Sequence, residues 1–271
     1  MAKASPEEER KAKALALFNG HESHLAGRPG GKRLIAKDFD FTKLDFFGLD
    51  LHESVLSSSN FQDSRFIDTD FSMSDMFCVN ANDADFTRSK FERADLRGAN
   101  LLRAKLVRAT LPKADLRAGQ VVKWDGGNQV TVQQKTQLRE ARLDNVNAVE
   151  ADFSEADMPR AKLMRANLSR AQMYAVNLAG ADLTEAVLAG AKLKDALLNG
   201  AIVAGADLTG ADLRGAVLRN VDLASAITTG ADLTGAIYRL TNVALPHKIA
   251  EKVAAHSLWI TSSGDRKSTR L

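Results

Sequence analysis

The sequence predicts an all-β solenoid, and three observations carry that prediction. The segment ADLTGADLRGAVLRNVDLASA, Ala206 to Ala226, superimposes on itself after a shift of five residues. A large apolar residue recurs at the centre of each such unit, from Leu56 through Phe61, Phe66, Phe71 and Met76 to Leu116, and again from Leu138 through Leu143, Phe153 and Leu208 to Tyr238. Two residues before almost every centre stands something small, such as Ser54, Ser59, Ala94 or Ala151. On a helix every fifth residue advances about 500° and drifts off any one face. In extended backbone, residues two apart share a side, so the small residue and the centre both point inward. The rest of each unit turns a corner, where Gly98, Gly180, Gly210 and Asp or Asn residues supply tolerant backbone.

The N-terminal stretch, residues 1–35, opens on Ser5-Pro6-Glu7-Glu8, a capping box with proline at the first helical position, followed by Leu15, Leu17 and Phe18. A first repeat block covers 36–117. Within it Phe39, Leu44 and Leu49 run in a frame two residues off, which places a small insertion near Asp50–His52. The segment 118–137 reads as a protruding hairpin: Val121–Trp124 and Gln129–Val132 flank the turn Asp125-Gly126-Gly127-Asn128. It divides the solenoid and shifts its frame.

A second block spans 138–240, and 241–271 supplies a helix from Pro246 to about Trp259, with Ile249 and Val253 on one face, that caps the core or joins two copies. HESHLAGRPGGKRL loosely echoes HSLWITSSGDRKSTRL, so a further block truncated at Leu271 is expected. Local bulges are expected where a centre is small or polar (Ala81, Ala148, Thr228) and where the small slot holds valine (Val79, Val146, Val176, Val221).

Composition narrows the function. Hydrophobic residues make up 45% of the 271 but aromatics only 6%, so the interior is narrow and rich in Ala and Leu. Lys+Arg of 37 against Asp+Glu of 34 leaves a net charge of +3, which favours neither a nucleic-acid binder nor an acidic mimic. The single Cys78 excludes an intramolecular disulfide framework and fits a reducing compartment. MAKASPEEERKAKALALF lacks the apolar core of a signal peptide, and no stretch approaches about 18 apolar residues. The expected location is cytoplasmic.

Tandem A(D/N)LxG units over most of 36–240 resemble the pentapeptide-repeat family. That resemblance implies a right-handed quadrilateral β-helix with four pentads per coil. Some ~37 pentads give ~9 coils and, at ~4.8 Å per coil, a rod of ~45 Å. It also implies an alternative function, that of the quinolone-resistance members, which mimic DNA with an acidic exterior and bind DNA gyrase.

No catalytic or cofactor-binding site is apparent. His21 and His24 stand three apart but have no third ligand, His52, His247 and His256 are scattered, and no phosphate loop, HExxH or GxSxG motif occurs. Charge is uneven instead. The charged residues from Asp45 to Asp85 are almost all acidic, and those from Arg88 to Arg117 are mostly basic, which circles the rod with a band of each sign. Such bands read either as a docking surface or as a mutually neutralising exterior. Arg93, Arg97, Arg103, Arg108 and Trp124 are the candidate partner-binding residues. The function expected is a non-catalytic module that presents flat charged faces and a hairpin to another protein, as a monomer or as a homodimer through the C-terminal end. Nucleic acid is disfavoured because no aromatics interleave the basic band.

Overall fold

The computed structural model describes residues 5–239. The C-terminal helix and tail expected from 241 onward lie outside the described residues. Helix α1, Pro6–Leu25, is followed by short ladder strands β1 (Asp45–Phe47) and β2 (Arg65–Ile67), the longer β3 (Gly119–Asp125) and β4 (Asn128–Gln134), and then β5 (Val217–Arg219) and β6 (Ile237–Arg239).

Each pentad makes one side of a square coil. The N–H of its small residue donates to the carbonyl of the preceding centre, as in Ala99 to Leu96 at 3.1 Å and Ala186 to Leu183 at 2.9 Å. The residue two after each centre adopts a left-handed conformation, with φ of 55° at Asp63, 56° at Arg93 and 64° at Gly210. This is a type II turn, whose third position demands positive φ. Centres donate upward to the next coil, as in Leu56 N–H to the Asp75 carbonyl at 2.7 Å.

Because four pentads close a coil, residue i pairs in parallel with i+20. Four columns result. The first face carries Ile35, Val55, Asp75, Asp95, Asp115, Asp152, Gln172, Lys192, Asp212 and Asp232. The second runs from Asp40 through Asn60, Asn80, Asn100, Gln137 and Asp157 to Ile237, the third from Asp45 to Ile202, and the fourth from Asp50 to Ile227. Ten rows, separated by ~4.8 Å, make a rod of ~43 Å. Its core is one continuous ladder of fully buried side chains from Leu34 to Ala236.

Three expectations need correction. No insertion lies near Asp50–His52, because Ile35 pairs with Val55, Asp40 with Asn60 and Asp50 with Asp70 at an unbroken offset. The true centres there are Ala36, Phe41, Phe46 and Leu51, all buried, while Leu34, Phe39, Leu44 and Leu49 are large residues in the small slot. Nor do Val79 and Ala81, or Val146 and Ala148, form bulges. Each pair sits within one pentad, where a larger residue in the small slot offsets a smaller centre, and volume-conserving exchanges are the ones a packed core tolerates. At the Val176 pentad the ladder likewise runs through Asn177 without a break. Among the described residues the ladder breaks only between Ile202 and Asp222, where Leu223–Ser225 turns as a 3-10 helix capped by the Asp222 carboxylate.

Helix α1 covers the N-terminal end of the core. Its capping box is formed, with Ser5 N–H donating to Glu8 Oε2 at 2.7 Å and Glu8 N–H to Ser5 Oγ at 3.2 Å. Phe18 enters the core against Phe46, with ring centroids 5.0 Å apart, and Arg10 ties the helix to Asp40 at 2.9 Å.

Candidate interaction surface

Among the described residues the hairpin is the one large insertion into the coil. β3 and β4 pair antiparallel from Gly119↔Gln134 to Asp125↔Asn128 around Gly126-Gly127, whose φ values of 55° and 91° are those of a two-residue primed turn. It emerges at the corner between the first and second faces. Above and below it the columns stay in step, as Asp115 pairs with Asp152 and Asn100 with Gln137. The offset becomes 37 instead of 20, so 17 residues are added at one corner without displacing a coil.

Trp124, Val122 and Val130 are 71%, 61% and 42% exposed on this ribbon. Trp124 and Val122 share one side of it, opposite Gln129 and Thr131, while Val121, Lys123, Val130 and Val132 share the other. Two grooves flank its base. The one on the first face, about 500 Å³, is lined by Phe77, Arg97, Arg117 and Gln133 among others; the one on the second face is about 570 Å³.

The two charge bands stack directly on one another. The 20-residue coil sets Arg65 on Asp45 at 2.8 Å, Lys90 on Asp70 at 3.1 Å and Lys105 on Asp85 at 3.5 Å, and joins Arg88 to Asp68. Arg103 grips Asp83 with both Nε and Nη2, at 2.7 and 2.6 Å. These forks hold the Asp68 and Asp83 carboxyls below their ordinary range. On the first face a chain runs Asp95–Arg97–Asp115–Arg117–Asp152, with Arg97 also lying 5.6 Å from the Phe77 ring centroid.

The five candidate residues are therefore not brought together. Trp124 and Arg97 share the hairpin corner, but Arg93, Arg103 and Arg108 occupy the other three corners of the square. Arg97 and Arg103 are engaged by carboxylates, whereas Arg93 and Arg108 are exposed and form no ion pair among the described residues. Sequence reasoning missed these pairings because they appear only when residues 20 apart are compared. It also missed Lys123 and Lys135, whose shared groove depends on where the hairpin leaves the coil.

At the N-terminal end His21 is buried between α1 and the first coil. Its Nδ1 accepts from Leu34 N–H at 3.0 Å, which fixes the proton on Nε2 for donation to the His52 carbonyl at 3.0 Å. Burial lowers its pKa from the usual histidine value. Among the described residues no cluster of His, Cys, Asp or Glu is arranged to hold a metal ion, and no helix is long and apolar enough to cross a membrane. Cys78 is a free, half-buried thiol whose pKa is raised by burial.

No curated protein matches the chain. Among solved structures it is similar to HetL, a pentapeptide repeat protein involved in heterocyst differentiation regulation from the cyanobacterium Nostoc sp. strain PCC 7120. That structure is 25% identical, covers 83% of this chain and 97% of its own, and gives a TM-score of 0.37. Full-length QnrB1, a plasmid-mediated fluoroquinolone resistance protein, is 16% identical over 82% of this chain and 95% of its own, with a TM-score of 0.43. A family profile described as pentapeptide repeats (8 copies) matches residues 82–117, 134–170, 166–203 and 204–237. With period, coil and profile in agreement over more than half its length, the chain belongs to the pentapeptide-repeat family and is a right-handed quadrilateral β-helix.

Proposed function

We propose that the chain is a non-catalytic, cytoplasmic protein–protein interaction module in which a rigid rod holds the hairpin at one corner for a partner to grip. The observation that carries this reading is Trp124, 71% exposed on an insertion that coil stacking does not need. Exposed tryptophan on a rigid support is the residue type in which binding energy concentrates, and Val122 extends the apolar surface on the same side. Arg93 and Arg108 add secondary contacts at their own corners. The exposed Leu197 and Ile237, on one column of the second face, support self-association through the C-terminal end as a second contact.

The gyrase-mimic alternative has less support. It needs an open acidic exterior, and here Asp45, Asp68, Asp70, Asp83 and Asp85 each meet a cation one coil away.

Affinity capture from the native lysate tests the proposal, comparing the full chain with Trp124→Ala and with a variant whose hairpin is replaced by a plain corner. A partner held by the full chain and lost by both variants is the expected result. Equal capture by all three would remove the hairpin from the function, and gyrase retained by all three would restore the mimic.

A further inference from the structure

We propose that the groove between the hairpin and the second face receives an extended, acidic segment of the partner protein. This rests on the hairpin being the contact element and adds the chemistry of what it contacts. The groove is lined by Asn100, Lys123, Val132, Gln133, Lys135 and Gln137 together with Gly98 and Gln134, and no carboxylate lines it. The side chains of Lys123 and Lys135 are exposed and, among the described residues, make no ion pair or hydrogen bond, in contrast to the neutralised cations of the stacked bands. Three of the four amides around them are already committed. Asn100 Nδ2 donates to Asn80 Oδ1 at 3.0 Å, Gln134 Nε2 to the Gly98 carbonyl at 2.6 Å, and Gln137 Nε2 to the Lys135 carbonyl at 3.3 Å. Two fixed walls thus hold two free positive charges, and an acidic ligand complements them.

Backbone chemistry specifies an extended ligand. In a hairpin closed by a two-residue turn the flanking pair, Asp125 and Asn128, is the hydrogen-bonded one, and pairs alternate from there. The N–H and C=O groups of Gln129, Thr131 and Gln133 consequently point away from β3. An edge of this kind accepts an added strand, with backbone bonds giving affinity and alternate side chains giving choice. The half-buried Val132 offers an apolar contact between the lysines. A third strand also stabilises a ribbon that is marginal with two. Single-stranded nucleic acid fits less well, since Trp124 lies on the ribbon side opposite Lys123 and no aromatic lines the groove.

The test is fluorescence anisotropy of a labelled peptide of about ten residues alternating glutamate and valine, titrated with the full chain at low salt. Saturable binding is expected, weakened about tenfold or more by Lys123→Glu with Lys135→Glu, retained by the two Lys→Arg exchanges, and reduced by added salt. Both positions are exposed, and circular dichroism of the variants confirms an intact rod. The proposal is overturned if the charge-reversed variant binds the peptide equally, if the peptide does not bind at millimolar protein, or if a single-stranded oligonucleotide of equal charge binds more tightly. If lysate capture depends on the hairpin while this peptide fails, the acidic-strand assignment falls alone. If capture is indifferent to the hairpin, the interaction reading falls with it.

Discussion

The coils before the hairpin and those near the C-terminal end build the same square from different materials. The early coils fill it with phenylalanine: Phe66 lies 5.2 Å from Phe61, 5.3 Å from Phe46 and 5.9 Å from Phe71, ring centroid to ring centroid. Their small slots hold Ser59, Ser64, Thr69, Ser74 and Ser89, all buried. Some of these hydroxyls replace a backbone bond. Ser89 Oγ donates to the Phe66 carbonyl at 2.6 Å and accepts from Thr69 N–H at 3.0 Å, closing from the next coil a turn that elsewhere closes itself.

The later coils use mainly leucine and alanine, with Val203 and Val221 as buried exceptions, and glycine takes over their corners at Gly200, Gly205, Gly210 and Gly215, where the early coils mostly have charged residues at the same positive φ. The difference teaches that the coil constrains the volume of a pentad and the hand of its corner, and leaves the chemistry free.

The sharpest way to break that comparison is to empty each core. Phe66→Ala removes a ring at the centre of the aromatic cluster and is expected to cost ~3–5 kcal/mol, against ~2–5 for Leu188→Ala in the later coils. Urea unfolding of both variants measures this. A loss at Phe66 smaller than at Leu188 would show that the aromatic end carries no extra cohesion.

Corners come next. Gly210 has φ 64° and nothing within 4 Å of a Cβ built on it, so Gly210→Ala meets only the left-handed penalty of ~1–2 kcal/mol. Stiffening of the unfolded chain offsets ~0.4–1 kcal/mol of that cost, and the reverse exchange at an early corner, Arg93→Gly at φ 56°, carries the same two terms with their signs reversed. Melting temperatures are expected to shift in opposite directions, down for Gly210→Ala and up for Arg93→Gly, and shifts of the same sign would show that the two kinds of corner differ in more than their hand.

The smallest effect is pH-dependent and confined to the helix end. His21 is held neutral by burial, so its folded pKa lies below the unfolded value of about 6.5. The unfolded chain therefore takes up the proton first. Stability from this site is complete above pH ~6.5 and falls as the solution is acidified below that, because a second ring proton opposes the Leu34 N–H. Thermal melts from pH 7 to 5 are expected to decline in the native chain and to flatten in His21→Gln. An unchanged slope in the variant would assign the decline elsewhere.

The fold was legible because period five is a geometric statement that survives substitution. The frame of the first coils is ambiguous in the sequence because both inward slots of a pentad hold large residues, Phe39 with Phe41, Leu44 with Phe46 and Leu49 with Leu51. Hydrogen bonding, not size, decides which is which: Phe41 N–H donates to the Asn60 carbonyl at 2.7 Å, while Phe39 N–H is taken by Ser59 Oγ. Trp124 was legible as an exposed residue because a turn signal sat between two polar-flanked strands. The fate of the arginines was not, since Arg103 meets Asp83 only through the closed coil.

The restored register across the hairpin turns the rod into a coordinate system. Four corners and ten rows give a lattice on which height follows from row and azimuth from corner. A sequence inserted at any corner arrives at a position known in advance, to about the spacing of one strand from the next. Changes of cargo are then separable from changes of scaffold: a loop can be lengthened, exchanged or moved to another row while every buried ladder keeps its partners.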